Sequence, residues 1–193
     1  QVLLDAIEDG LAGENSTLIS LFQDRSSRSA LSSPHTGLLW ALERLALHPD
    51  YLSRSALSLA RLTRLDPGGS LGNRPESSLE TIFTWWLYFH PNASFHLPDC
   101  LQIMDALFKR EPDIAWNLSM SLISYHHMSL MERTTRWRDW VTETGSTFII
   151  QDLMDASDAI LKKLIAHAGV NSARWCSLID RARFMNASQK DVM

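Results

Sequence analysis

The chain has 193 residues, of which 45% are hydrophobic and 21% are charged, a balance typical of a folded globular domain rather than a disordered segment. Its net charge of -4 argues against a protein that chiefly holds phosphate backbones. No apolar run approaches the ~18 residues that would span a bilayer, and no signal peptide is evident, so we expect a cytoplasmic protein with no membrane partner.

The two cysteines, Cys100 and Cys176, both lie inside helical patterns. Neither has a His or a second Cys at the spacing of metal ligands. This pattern predicts two buried free thiols rather than a disulfide or a zinc site.

The first 33 residues predict a peripheral segment. A short helix with one apolar face is expected first, and a second short helix capped by residues 15–17 follows it. Residues 25–33 are rich in serine and predict a loop. The face expected to be buried on the first helix comprises Val2, Leu3, Ala6, Ile7 and Gly10.

Prolines and small residues divide the next part into a helical hairpin. We expect one helix to begin at Pro34 and a second helix to end near Leu65. A turn at His48, Pro49 and Asp50 is expected to separate the two helices. The second helix has small inner residues, which let a neighbour approach closely. These inner residues are Ser55, Ser58 and Ala60.

Residues 65–75 form the clearest interruption, with three glycines and two prolines, so no regular element is expected to pass through them. Gly68 and Gly69 resemble part of a phosphate-binding loop, but the Lys-Ser/Thr ending and the preceding strand are absent. A structural turn is therefore expected. Asn73 and Arg74 are expected to hold it against neighbouring helix ends through side-chain hydrogen bonds.

The next segments predict a second hairpin. A capping box formed by Ser77 and Glu80 is expected to begin one helix, and Pro98 to begin the following one. Pro112 then marks a tight break. The helix after it carries apolar residues on more than one side, so we expect it to be buried on more than one side.

Residues 125–146 predict a long loop, and a long helix follows from Thr147 with a C-terminal cap at Gly169. Asn171 or Ser172 is expected to cap the last helix. The expected inward residues of that helix are Trp175, Leu178, Ile179 and Ala182.

No stretch alternates apolar and polar residues with the period of a strand, so the sequence predicts an all-α fold. Helices paired as αα-hairpins, at about 40 residues a pair, favour an irregular α-solenoid of the HEAT, armadillo or TPR type. A closed helical bundle is the alternative. We expect one domain over residues 1–193, with its core in residues 34–185.

No catalytic constellation is visible, and no cofactor or metal is expected. The pair His126 and His127 lacks the spacing and the glutamate of a zincin site, and neither cysteine has an adjacent base. The segment itself is therefore not predicted to be an enzyme.

One cluster combines basic and aromatic side chains. The favoured explanation is that both tryptophans hold the long loop against the helices. The alternatives are that the cluster contacts a protein partner or binds nucleic acid. Nucleic acid is the least favoured because the whole chain is acidic. The cluster comprises Arg133, Arg136, Trp137, Arg138 and Trp140.

Four segments in this order carry a family resemblance. They are His48-Pro49-Asp50-Tyr51-Leu52-Ser53-Arg54, then Leu65-Asp66-Pro67-Gly68-Gly69 with Asn73-Arg74-Pro75, then Lys109-Arg110-Glu111-Pro112 with Ala115-Trp116, and finally Arg136-Trp137-Arg138-Asp139-Trp140. Together they resemble the helical-repeat region of large bacterial STAND-type ATPases of antiviral defence. The sequence departs from that pattern between Trp85 and Leu97.

The resemblance implies that this chain is a fragment of a larger protein whose ATPase and effector modules lie toward its N-terminus. The helical repeats would then form a sensor or scaffold that binds a foreign protein, often a viral structural component, and triggers self-association of the parent. A structural spacer between modules and a nucleic-acid-binding helical repeat are the alternatives.

Overall fold

A computed structural model describes residues 2–11, 17–23, 34–69, 73–84, 86–87, 93–123, 150–182 and 190. Within these ranges the chain forms α-helices and one 3-10 helix, with no strand, so the predicted all-α class is confirmed. The α-helices are α1 (Val2–Gly10), α2 (Pro34–Leu45), α3 (Pro49–Leu65), α4 (Pro75–Thr84), α5 (Ala93–Arg110), α6 (Pro112–Leu122), α7 (Ile150–Ala168) and α8 (Ser172–Ala182). The 3-10 helix spans Thr17–Phe22.

Helices that are close in the chain pack against each other. α3 lies against both α2 and α4, and α6 lies against both α5 and α7. Helices two apart in order also touch: α2 with α4, α4 with α6, α3 with α5, and α5 with α7. The even-numbered and odd-numbered helices from α2 to α7 thus form two neighbouring rows.

Buried apolar side chains from both rows form one continuous cluster, which extends from Leu4 in α1 to Leu178 in α8. Helix α6 is buried on several sides, as predicted. Its buried residues are Ala115, Trp116, Leu118, Ser119, Met120 and Leu122. The small residues Ser55, Ser58 and Ala60 of α3 are also buried, which confirms their predicted inner position.

Prolines begin the helices at the expected breaks. Helices α2, α3 and α6 start at Pro34, Pro49 and Pro112, because the proline ring fixes a helical φ and its missing N–H would have no helical partner in the first turn. The turn before α6 is a single residue, Glu111. Both predicted hairpins therefore form, with α2 packed on α3 and α5 packed on α6.

The predicted capping box at Ser77 is wrong. Helix α4 begins two residues earlier, at Pro75, and the N–H of Ser78 already donates to the carbonyl of Arg74. Ser77 lies inside the helix, where its carbonyl accepts a hydrogen bond from Thr81 Oγ1 at 2.8 Å. The preorganised φ of Pro75 starts the helix before the serine can act as a cap.

The predicted helix start at Pro98 is also wrong. Pro98 lies inside α5, which begins at Ala93. A proline there removes one backbone hydrogen bond. The added turn packs Leu97 against the core, and apolar burial of this kind can offset the lost bond.

Helix α1 buries only part of the predicted face: Ile7 is buried as predicted, but the other buried residues lie outside that face. Leu4, Ile7 and Leu11 are buried, whereas Val2 is 83% exposed and Leu3 is also exposed. The sequence offers two apolar stripes on this short helix, and both have helical spacing. Contact with α3 and the 3-10 helix selects the stripe that contains Leu4.

The C-terminal helices largely follow the prediction. Gly169 adopts a φ of 52°, the left-handed conformation of a C-terminal cap. The side chain of Asn171 accepts a hydrogen bond from the N–H of Arg174 at 3.2 Å and caps α8, as expected. Leu178 is buried, but Ile179 is 60% exposed, so its predicted inward position is wrong.

Candidate interaction surface

The basic and aromatic cluster singled out from the sequence lies outside the described residues, as do His126 and His127. Its members are Arg133, Arg136, Trp137, Arg138 and Trp140. Their predicted contact with a partner stays a prediction.

The turn after α3 is organised by a carboxylate. Asp66 Oδ1 accepts a hydrogen bond from the N–H of Gly68 at 3.1 Å and another from Arg74 Nη1 at 3.1 Å. Gly68 and Gly69 have φ values of 74° and 138°. A residue with a Cβ disfavours these positive φ values, whereas glycine adopts them readily. The backbone can therefore turn so that the N–H of Gly68 reaches the carboxylate of Asp66.

Arg74 and Asn73 connect this turn to two other parts of the chain. Arg74 Nη1 also donates to the carbonyl of Phe22, at the end of the 3-10 helix, at 3.1 Å. Asn73 Nδ2 donates to Thr36 Oγ1 in the first turn of α2 at 3.4 Å. The ends of α3 and of the 3-10 helix and the starts of α2 and α4 therefore meet around these two side chains.

The chemistry of the turn favours a structural role over phosphate binding. A phosphate cradle needs backbone N–H groups aimed at an external anion, whereas the N–H of Gly68 is already bonded to Asp66. The carboxylate of Asp66 also adds negative charge where a phosphate would sit. Arg74 balances that charge from within the chain.

The two thiols differ in environment. Cys100 is buried, and burial, with a smaller effect of the nearby Asp99 carboxylate, raises its pKa to about 12. Such a thiol stays protonated and is a poor nucleophile. Cys176 is exposed, so the prediction that both thiols are buried is wrong for this residue. Both are free, as predicted.

The described ranges offer neither a metal site nor a membrane-spanning helix. In that part of the chain no three or more His, Cys, Asp and Glu side chains come together as a metal site would require. Among the described helices none has the length and apolar character needed to cross a membrane.

The clearest contact candidate among the described residues is Trp40 on α2, whose side chain is 55% exposed. Gly37, one turn earlier, is also exposed, with no atom within 4 Å of the position its Cβ would occupy. A large, rigid, accessible aromatic group like that of Trp40 is typical of residues that dominate protein interfaces.

Trp40 is not among the contact residues predicted from the sequence, although its position in α2 carries a signal. The inner residues of α2 include Leu39 and Leu42, which are buried. Trp40 falls outside this stripe, and a helical residue outside the buried stripe faces solvent unless a partner covers it.

Comparison with known proteins gives no match: neither a family model, nor a curated protein, nor a solved structure is similar to the chain.

Proposed function

We propose that this chain is a non-catalytic protein-interaction segment, built as an irregular α-solenoid, that uses an outer helical face to bind a protein partner. The observation that carries the proposal is an exposed tryptophan, Trp40, on the first helix of one of two rows of packed helices. Arrays of helix pairs present extended surfaces that suit such binding.

The packing order supports a solenoid over a closed bundle. Every extensive helix contact in the described part of the chain joins elements that are at most three apart in order, and α2 makes no extensive contact with α7. In a solenoid each repeat touches only its neighbours, whereas a closed bundle brings its first and last helices together.

The motif resemblance supplies the class of partner. It supports a foreign protein, such as a viral structural component, as the ligand, and a bacterial cytoplasmic STAND ATPase of antiviral defence as the parent protein. The segment would then act as a sensor or scaffold that relays binding to oligomerisation of the parent. Nucleotide and effector chemistry would belong to other modules of that parent.

A binding assay with purified viral structural proteins tests the proposal. We expect Trp40→Ala to weaken binding by about tenfold or more, since truncation of a hot-spot tryptophan costs about 2 kcal/mol or more and about 1.4 kcal/mol corresponds to tenfold in affinity. Ile179→Ala is the matched control, because Ile179 is similarly exposed but lies on α8. A double variant, Arg136→Ala with Arg138→Ala, tests the basic and aromatic cluster.

Three outcomes would contradict the proposal or part of it. A folded chain that binds no viral structural protein would favour a structural spacer. Binding that survives both Trp40→Ala and the double arginine variant would place the contact on another surface. Salt-dependent binding of labelled DNA or RNA that is lost in the double variant would favour a nucleic-acid-binding repeat.

A further inference from the structure

Helix α8 is attached to the rest of the structure over a narrow contact. Among the described helices, its extensive packing is with α7. Leu178 is its one fully buried residue, while Trp175 and Ala182 are partly buried against the core. Helix α6, which has the same length, buries residues on several sides and packs against four other helices. Apolar burial therefore holds α8 much more weakly than it holds α6.

Polar contacts of Arg174 add to this attachment, beside the indole N–H of Trp175, which donates to the carbonyl of Gly169 at 2.9 Å. Arg174 Nη1 donates to the carbonyl of His167 near the end of α7 at 2.8 Å, and its Nη2 donates to Asp113 Oδ1 in α6 at 3.0 Å. The guanidinium also lies over the ring of Trp116, 4.9 Å from its centroid. Arg174 thus joins α8 to both neighbouring helices.

The polar partners of Arg174 lie at the surface. The side chain of Asp113 is 90% exposed, and an ion pair in this position is weakened by solvent and salt. Trp116, by contrast, is only 7% exposed, and Arg174 lies over its ring. When α8 moves away, the ring of Trp116 loses the guanidinium that lies over it, and the buried cluster loses Leu178.

We propose that α8 is a latch, held closed by Arg174, that opens on its own while α2 to α7 stay folded. Opening breaks the contacts of Arg174 with His167, Asp113 and Trp116 and withdraws Leu178 from the core. The open state then presents an apolar surface, centred on Trp116, that the closed state hides. Segments with few buried apolar contacts open locally at a lower free energy than global unfolding requires. This proposal is independent of the identity of any binding partner.

Hydrogen exchange of backbone amides, measured by mass spectrometry on the whole chain, tests the latch. We expect the amides of α8 to exchange at least about tenfold faster than the hydrogen-bonded amides of α3 and α6, because they exchange through local opening. The rate at which a thiol reagent labels the buried Cys100 reports opening of the core around α5. This rate is measured in the Cys176→Ser variant, so that the exposed thiol does not react.

Substitution of Arg174 separates the latch from a general loss of stability. Arg174→Ala should raise exchange in α8 about tenfold, because hydrogen bonds of a charged group are lost, while exchange in α3 and labelling of Cys100 stay unchanged. Arg174→Lys should have a smaller effect, since it keeps the charge near Asp113 but loses the two-pronged geometry. Arg110→Ala, at the exposed end of α5, is the control and should change neither readout.

The proposal is overturned if α8 exchanges at the same rate as α3, since the two would then open only together. It is equally overturned if Arg174→Ala accelerates exchange in α3 and labelling of Cys100 as much as exchange in α8. An Arg174→Ala variant with unchanged exchange in α8 would show that the arginine does not hold the helix closed.

Discussion

Trp86 donates its indole N–H to the backbone carbonyl of Ala46 at 2.6 Å, in the buried core. The bond joins the residues just after α4 to the residue that follows α2, so it connects two helices of one row. A buried tryptophan needs a partner for its N–H, and a carbonyl at a helix end has no partner in its own helix. The hydrogen bond therefore provides a partner both for the indole N–H of Trp86 and for the carbonyl of Ala46.

Trp86→Phe is expected to lower the free energy of unfolding by about 2 kcal/mol, since it removes the donor to the Ala46 carbonyl and leaves a small cavity. Urea denaturation followed by circular dichroism measures the change. Trp40→Phe is the matched control and should cost less than about 0.5 kcal/mol, because its side chain is exposed. Equal losses in the two variants would contradict the buried role of Trp86.

Arg74→Ala is expected to destabilise the protein by about 2–4 kcal/mol, because it leaves the largely buried carboxylate of Asp66 without its positively charged partner and removes the bond to the Phe22 carbonyl. Arg74→Lys should recover part of this loss, because lysine keeps the positive charge near Asp66. Recovery should be incomplete, because one ammonium group cannot reproduce the planar geometry of the guanidinium. The free energy of unfolding in urea is again the measurement. An Arg74→Ala variant as stable as the unchanged protein would contradict a structural role for the turn.

The attachment of α1 to α3 should weaken in acid. Arg54 bonds to Glu8 at 2.8 Å through two pairs of atoms and to Asp5 at 2.6 Å, and the hydrogen bond from Arg54 lowers the pKa of Glu8 below its ordinary value of 4.5. A carboxylate with a lowered pKa in the folded state stabilises that state above its unfolded pKa. The stabilisation is lost as the pH falls from about 4.5 through the folded pKa.

Urea denaturation from pH 7 to pH 3 tests this dependence by comparison with Arg54→Gln. The unchanged protein should be the more stable of the two above about pH 5, and the difference should shrink toward pH 3 as Glu8 becomes protonated. Raised salt should also reduce the difference at pH 7, because the ion pair is exposed. A difference that is constant over the whole pH range would refute the role of Glu8.

Two glycines should respond oppositely to alanine. Gly169→Ala is expected to cost about 1–2 kcal/mol, since φ is 52° there and a Cβ disfavours that conformation. Gly37→Ala should stabilise the protein by about 0.5–1 kcal/mol, because Gly37 lies within α2 with open space around it and alanine restricts the unfolded chain. Thermal and urea unfolding both report the sign of each change.

Local chemistry made several features of the fold predictable. Pro34, Pro49 and Pro112 begin helices where expected, because the ring restricts φ whatever the surroundings. Asn171 caps α8 through its own side chain, and Gly169 takes the conformation that few other residues adopt. Small inner residues in α3 are likewise buried as their spacing predicts.

The candidate surface was only partly predictable. Trp40 could have been found, because it falls outside the apolar stripe of α2. The pairs of Arg54 with Glu8 and of Arg174 with Asp113 join residues 46 and 61 positions apart. No local pattern indicates such partners.

The sequence by itself determined the helical class, most of the helix starts and the helical hairpins, since proline geometry, capping and apolar spacing act within a few residues. Tertiary structure alone decided that α1 buries Leu4 rather than Val2, that α5 extends back past Pro98, and that α8 leaves Ile179 in solvent. Each of these outcomes depends on which surfaces the neighbouring elements of the fold offer, and packing against those surfaces outweighs the small local preferences that the sequence displays.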